Sequence, residues 1–481
     1  MVKETLKEKT AKGLFWGGLS NSLQQLLGLA FGICLARLLS PGDYGMVAML
    51  TVFSLLASSI QESGFVSALA IRKEVHHRDY NAVFWFSLLA SVSLYVVLFF
   101  CAPLIAAYNH TPELTPLARY AFLGFVLSSL STAHFAVLFR KMKVKQRTIA
   151  TFVATVVSGG VGITMAACGF AYWGLATQDL CYKLVITLLF WHYSGWRPTF
   201  QLDFRPIRQM FGFSSKVLAT NLLNTINNQF LQALLGHFYP RGDVGLYSQA
   251  NKWNTMGYSI VGGMVGSIAQ PVFAQVGNER SRQQRVFRKM LRFTAFLSFP
   301  AMLGLALIAT DFVPLALGNK WVPCVPYLQI LCVAGSFIPL SQLYSNLIVS
   351  SGRSSVYLSS TAVLLLLQLA TMYFLYPYGI TALLYAITTI NIVSLFVWHF
   401  LAARQTGLKL IHTLMDIVPF ALLSAAVMWI AYITTLQVDH MILRFILKIV
   451  IAVLLYGTMM WFLRIAVFRE CLHFLLRKKS S

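Results

Sequence analysis

Leu38-Leu39-Ser40-Pro41-Gly42-Asp43-Tyr44-Gly45 and Phe238-Tyr239-Pro240-Arg241-Gly242-Asp243-Val244-Gly245 say almost the same thing 200 residues apart. Each copy sits between two long apolar runs, and Asn21 before the first is matched by Asn221 before the second. A Gly-Asp-x-Gly turn repeated with its flanking helices marks a duplicated membrane unit. Duplicated units in membranes are most often transporters, with the substrate site between the halves.

Composition agrees. The chain has 481 residues, 57% hydrophobic and 11% charged, with mean hydropathy +0.68. A soluble domain carries roughly a quarter charged residues. The apolar residues fall in runs of roughly 20, the length that crosses a hydrocarbon core of about 30 Å. The net charge is +23, from 38 Lys+Arg against 15 Asp+Glu. These cations cluster in short loops, which points to membrane topology and anionic headgroups rather than to nucleic acid. The seven cysteines form no C-x-x-C pair and read as small hydrophobes. The basic N-terminus precedes an apolar run too long for a signal-peptide core, so it is expected to be a retained first span.

The expected class is an all-α integral membrane protein of fourteen spans. The segments are 13–38, 44–69, 81–107, 115–138, 149–168, 172–195, 211–237, 244–273, 291–310, 323–350, 356–376, 379–402, 414–436 and 441–463. They divide into an N-lobe (1–195), a C-lobe (208–405), a final pair (413–464) and a basic tail (465–481), read as an interfacial helix. With the N-terminus in the cytoplasm, 30 of the 38 basic residues fall on inside segments, and the alternation holds along the whole chain. Both termini are therefore expected in the cytoplasm. The longest outside connection is expected over 310–322, and no loop has room for a soluble domain. The absence of G-x-x-x-x-G-K-[ST] argues against ATP hydrolysis.

Ionisable and amide groups inside spans are costly unless they face a cavity or a partner, so they are the default site candidates. Arg37 lies near the outer end of span 1, and Arg119 opens span 4 from outside. Both fit either a cationic cavity or snorkelling to headgroups. Lys183 in span 6 and Lys252 in span 8 lie deeper, where snorkelling is harder. Asp179 stands four residues before Lys183 on one helix face, so the two either neutralise each other or exchange partners during transport. Glu62, at the inner end of span 2, is either interfacial or a second coupling carboxylate. Asn221, Asn224 and Asn228 form a stripe on span 7, and Asn21 and Gln25 lie on a similar face of span 1. Carboxamides can hold a sugar by paired donors and acceptors, or join helices to one another. No metal site is expected: His76-His77 has no ligand spacing beyond adjacency.

The fourteen spans, the six-plus-six repeat and the final pair resemble the multidrug/oligosaccharidyl-lipid/polysaccharide exporter superfamily. Within it the chain looks like the polysaccharide-transport branch, the Wzx-type flippases of O-antigen and colanic-acid type. The residues carrying this are 36–45 after span 1, Gly242-Asp243-Val244-Gly245-Leu246-Tyr247 after span 7, and 312–321 after span 9, where Asn319 replaces the more usual acidic residue. The resemblance implies an undecaprenyl-pyrophosphate-linked glycan as cargo, moved to the outer leaflet of the bacterial inner membrane by alternating access. It implies a cavity bordered by spans 1, 2, 7 and 8, a groove for the lipid tail at spans 13 and 14, and a polysaccharide polymerase and glycosyltransferases as partners. Cofactors are not expected; the drive is an ion gradient or the membrane potential. In this scheme Lys183 and Lys252 offset the pyrophosphate charge, and Asn221, Asn224 and Asn228 contact the glycan, in a cleft between 1–195 and 208–405. The alternatives are a drug/cation antiporter of the same superfamily, which needs deep acidic residues, and an integral membrane glycan-processing enzyme, which needs a large outside loop.

Overall fold

The computed structural model describes residues 23–62, 64–72, 74–276, 280–350, 354–463 and 468–469. No strand occurs among them. A chain in lipid must satisfy its backbone N–H and C=O groups internally, and a helix does so within one segment. The helices are α1 (Leu23–Leu38), α2 (Pro41–Glu62), α3 (Phe65–Ile71), α4 (His77–Tyr108), α5 (Leu114–Ala121), α6 (Leu123–Arg140), α7 (Val144–Ala167), α8 (Tyr172–Ser194) and α9 (Arg205–Phe238). They continue with α10 (Arg241–Val276), α11 (Arg280–Ala316), α12 (Val325–Ser350), α13 (Ser354–Leu375), α14 (Ile380–Thr406), α15 (Leu410–Thr434) and α16 (Met441–Phe462). Among the described residues, helix falls on every segment the sequence marks. Among the described residues nine stretches are long and apolar enough to cross a membrane, and α1 is a shorter apolar helix. Four further helices, α2, α8, α9 and α10, have 22, 23, 34 and 36 residues. On α4, Leu89, Val92, Val96, Phe100 and Leu104 make one exposed apolar stripe at helical spacing. Water would penalise such a face and acyl chains suit it.

Two sequence expectations are corrected. Gly-Asp-x-Gly is not a turn: the chain bends at Leu39-Ser40, and the motif is the first turn of α2. The reason is a reciprocal cap. Ser40 donates its N–H (2.9 Å) and hydroxyl (2.6 Å) to the Asp43 carboxylate, and Asp43 N–H donates to Ser40 Oγ (3.2 Å). The connection expected over 310–322 is likewise mostly helical. Helix α11 runs to Ala316, and a 3-10 turn (Asn319–Cys324) follows Gly318 at φ 102°. Trp321, fully buried, fastens that turn.

Packing divides the chain at Gly245/Leu246 into two compact units. These units cut across the sequence repeat, because α9 packs on α2 within the first unit. There α7 and α8 approach closely through small residues: a Cβ at Gly174 would lie 3.3 Å from the Gly162 carbonyl oxygen. The segment joining the repeats is laid on α4. Buried Asn81 donates to Gln201 O (2.6 Å) and accepts from Thr199 N–H (2.9 Å), and Trp85 Nε1 donates to Thr199 O (2.8 Å).

In the second unit α11 is the central rod, packed on α12, α15 and α16. Its core joins Phe287, Leu291, Phe299, Tyr344, Trp398 and Phe420.

Candidate functional site

In the first unit Lys183 Nζ donates to Asp179 Oδ2 at 2.6 Å. The lysine is largely buried, with its side chain 18% exposed, while the Asp179 side chain is 56% exposed. Gly124 leaves the space that the ammonium fills, since a Cβ there would lie 2.7 Å from Nζ. The ring of Phe125 lies 5.9 Å from the charge, at the edge of cation–π range. The pair is thus a built feature with one open side. Arg119 is held against α4: Nε donates to Phe99 O (3.3 Å), and the guanidinium sits 4.3 Å from the Phe99 ring centre. That arrangement anchors α5 to α4. Arg37 and Gln25 are exposed on α1, and Asn221 is half-buried on α9. Asn21 and the side chains of Asn224, Asn228 and Glu62 lie outside the described part, as does the tail beyond Arg469. Helix α9 also uses polar groups as helix joints. Gln232 Nε2 donates to Ala48 O (3.1 Å), and Thr225 and Ser59 hydroxyls meet at 3.1 Å.

In the second unit α10 carries polar groups with unspent capacity. Lys252 makes no hydrogen bond or ion pair with any described residue. Beside it Gln249 is buried with neither amide atom partnered, and Trp253 Nε1 and Asn254 Oδ1 are also unpartnered. Buried polar atoms are nearly always paired, so three such residues within two turns, with Lys252 among them in sequence, make this stretch of α10 a candidate polar site. A cation and a carboxamide are the donors that a phosphorylated sugar headgroup would need.

Sequence reasoning missed two charge clusters. Asp311, fully buried, receives Arg444 Nε at 2.7 Å and Lys448 Nζ at 2.5 Å. Asp416 receives Arg288 through Nε (2.6 Å) and Nη2 (3.1 Å), with Arg292 Nε at 3.1 Å. Each aspartate is bracketed by two cations four apart on one helix. The i, i+4 spacing of the two cations was the available signal. The clusters fasten α11 to α16 near one end and to α15 near the other. Between them lies an apolar groove of about 610 Å³, lined from α10, α11, α15 and α16, with Lys448 as its charged residue. His76, at the start of α4, takes part in the helix cap: its N–H donates to Asp79 Oδ2 at 2.8 Å.

The fold defines a class. It resembles the lipid II flippase MurJ in an inward closed conformation with TM-score 0.75, at 15% identity, over 96% of this chain and 99% of that one. It also resembles an inward-facing multidrug-resistance MATE transporter of the MOP superfamily, with TM-score 0.63 and 17% identity, over 80% of this chain and 94% of that one. The chain is thus a multi-pass membrane protein with a flippase and exporter fold. A family model described as "Polysaccharide biosynthesis protein" matches residues 34–326, and the chain belongs to that family. Its relatives include the lipopolysaccharide biosynthesis protein WzxC of Escherichia coli K12, 25% identical over 73% of this chain and 72% of that protein. The teichuronic acid biosynthesis protein TuaB of Bacillus subtilis 168 is 22% identical over 98% of this chain and 99% of its own length. The succinoglycan biosynthesis transport protein ExoT of Rhizobium meliloti 1021 is 25% identical over 67% of this chain and 65% of its own length.

Proposed function

We propose that this protein flips a polyprenyl-pyrophosphate-linked oligosaccharide from the cytoplasmic to the outer leaflet of a bacterial inner membrane, by alternating access, for cell-surface polysaccharide synthesis. The observation that carries the reading is Lys252 without an anionic partner among the described residues, close in sequence to the unpartnered Gln249 amide and Asn254 Oδ1 in a long helix of this fold. A bare cation in such a helix is costly unless it meets an anion, and pyrophosphate is one. Lys183 is the second cation, released to the cargo when Asp179 turns to water. Asn221, Asn224 and Asn228 bind sugar hydroxyls, and the apolar groove receives the prenyl tail. Both termini face the cytoplasm. Asp179 and Glu62 are the candidates for coupling to an ion gradient, with the membrane potential as the other drive. A polymerase and glycosyltransferases act on the same lipid-linked glycan before and after it crosses.

The drug/cation antiporter is less well supported. Among the described residues the buried acids Asp311 and Asp416 are each held by two cations, which leaves neither free for a cationic drug. The test uses a strain that lacks the gene. Wild type should restore surface polysaccharide, and the pair Lys183→Gln with Lys252→Gln, present at normal membrane level, should leave the lipid-linked glycan on the cytoplasmic side. Unchanged export by the double variant rejects the site.

A further inference from the structure

The two echoed corners meet one another. Both lie in the first unit. A Cβ added at Gly45 would overlap the carbonyl oxygen of Arg241, and one added at Gly245 would overlap the carbonyl oxygen of Pro41. The Gly245 Cβ would also fall 2.9 Å from Gly45 N. The contact is reciprocal: each glycine stands one helical turn after the residue whose carbonyl the other glycine meets, so a local two-fold relates the pair. Backbone against backbone in this way has the form of paired Cα–H···O=C contacts, which only glycine permits at such close range. The neighbouring glycines are not constrained alike. A Cβ at Gly42 would keep 3.7 Å from Arg241 Nε, and one at Gly242 would meet nothing within 4 Å. The end of α9 that leads into the second corner is itself fastened. His237 Nδ1 donates to Tyr108 O at 2.5 Å, and their rings stack at 4.3 Å.

We propose that Gly45 and Gly245 are the seal of the outer gate. Their contact holds the first turns of α2 and α10 together while the outer side is shut, and it parts when cargo leaves outward. This rests on the transporter reading above, with both corners on the outer side. A headgroup cannot pass between two helix starts in backbone contact, so the contact has to be broken once per cycle. Alanine at either position is incompatible with the sealed state and shifts the population to the open one.

The test is a disulfide in the full-length protein, in cell membranes and a cysteine-free background. A Cβ at Gly42 lies 3.8 Å from Arg241 Cγ, so Gly42→Cys with Arg241→Cys brings two thiols within bridging range. Oxidation should link the pair and stop glycan export, and reductant should restore it. Adding Gly45→Ala should lower the disulfide yield at least tenfold, whereas Gly242→Ala should leave it unchanged. A disulfide that forms without stopping export overturns the gate. No disulfide in protein present at normal level, or a yield indifferent to Gly45→Ala, overturns the contact. Should Gly45→Ala fail to reach the membrane, the cysteine pair alone decides, because neither cysteine needs the glycine space. Were wild type to restore no surface glycan, the flippase reading would fall, while the disulfide yields would still judge the contact.

Discussion

Asp311 and Asp416 show how much one side chain can hold. Each buried carboxylate faces two cations, and taking the carboxylate's charge away strands both of them. Asp311→Asn leaves Lys448, 4% exposed, and Arg444 facing a neutral amide. The expected loss is about 3–5 kcal/mol. Arg288 and Arg292 are 30% and 42% exposed, so solvent screens what Asp416→Asn leaves behind, and roughly 1–3 kcal/mol is expected. Thermal unfolding of the two variants in detergent should rank Asp311→Asn as the less stable. An equal or reversed order would show that burial does not set the strength of these clusters. At the same scale the deep cations were legible as residues but not as roles. Lys183 and Asp179, one turn apart, could be paired on paper. That Gly124 makes room for the ammonium could not, because it depends on how α6 lies on α8.

Among the elements, the segment 195–204 matters most for how the repeats are joined. It has the composition of a plain connector, yet Asn81 stitches it to α4 with both ends of one carboxamide. Asn81→Leu removes both bonds and strands Thr199 N–H and Gln201 O, at a cost of about 1–3 kcal/mol. Limited proteolysis of membrane vesicles should then cut within 195–204 at least several-fold faster than in wild type. Unchanged cutting would mean that Trp85 and the Trp196–His77 hydrogen bond (2.9 Å) suffice to hold it. Helix existence was legible from apolar run length, and helix ends were less so. The Gly-Asp-x-Gly motif looked like a turn because glycine and aspartate favour turns. Ser40 and Asp43 make the same residues a capped helix start, since aspartate three residues after a serine cap also fits that role.

At the scale of the whole molecule, the charge bias of the loops sets how the chain sits in the bilayer. Single cysteines at His110 and Val438, in a cysteine-free background, should react with an impermeant maleimide added outside intact spheroplasts. Cysteines at Lys143 and Lys409 should react only after permeabilisation. The opposite pattern would invert the topology and place the echoed corners in the cytoplasm. The sequence repeat and the packing units describe different things. The repeat is an echo in the sequence, and it puts α9 at the head of the second half. Packing puts α9 with α2, where Gln232 and the Ser59–Thr225 pair join them.

The sequence by itself determined the helices, their expected orientation, the echoed corners and the family resemblance. Each of these depends on run length, loop charge or spacing within a few residues, and such quantities are local in the chain. Only the tertiary structure decided that Asp311 meets Lys448, that Lys252 meets no anion among the described residues, and that Gly45 and Gly245 press on each other's corners. Those facts join residues more than a hundred positions apart, and helix spacing reaches no further than one turn. Which distant faces meet is set by side-chain packing between rods, and in lipid that packing turns on small residues and shared hydrogen bonds rather than on hydrophobicity alone.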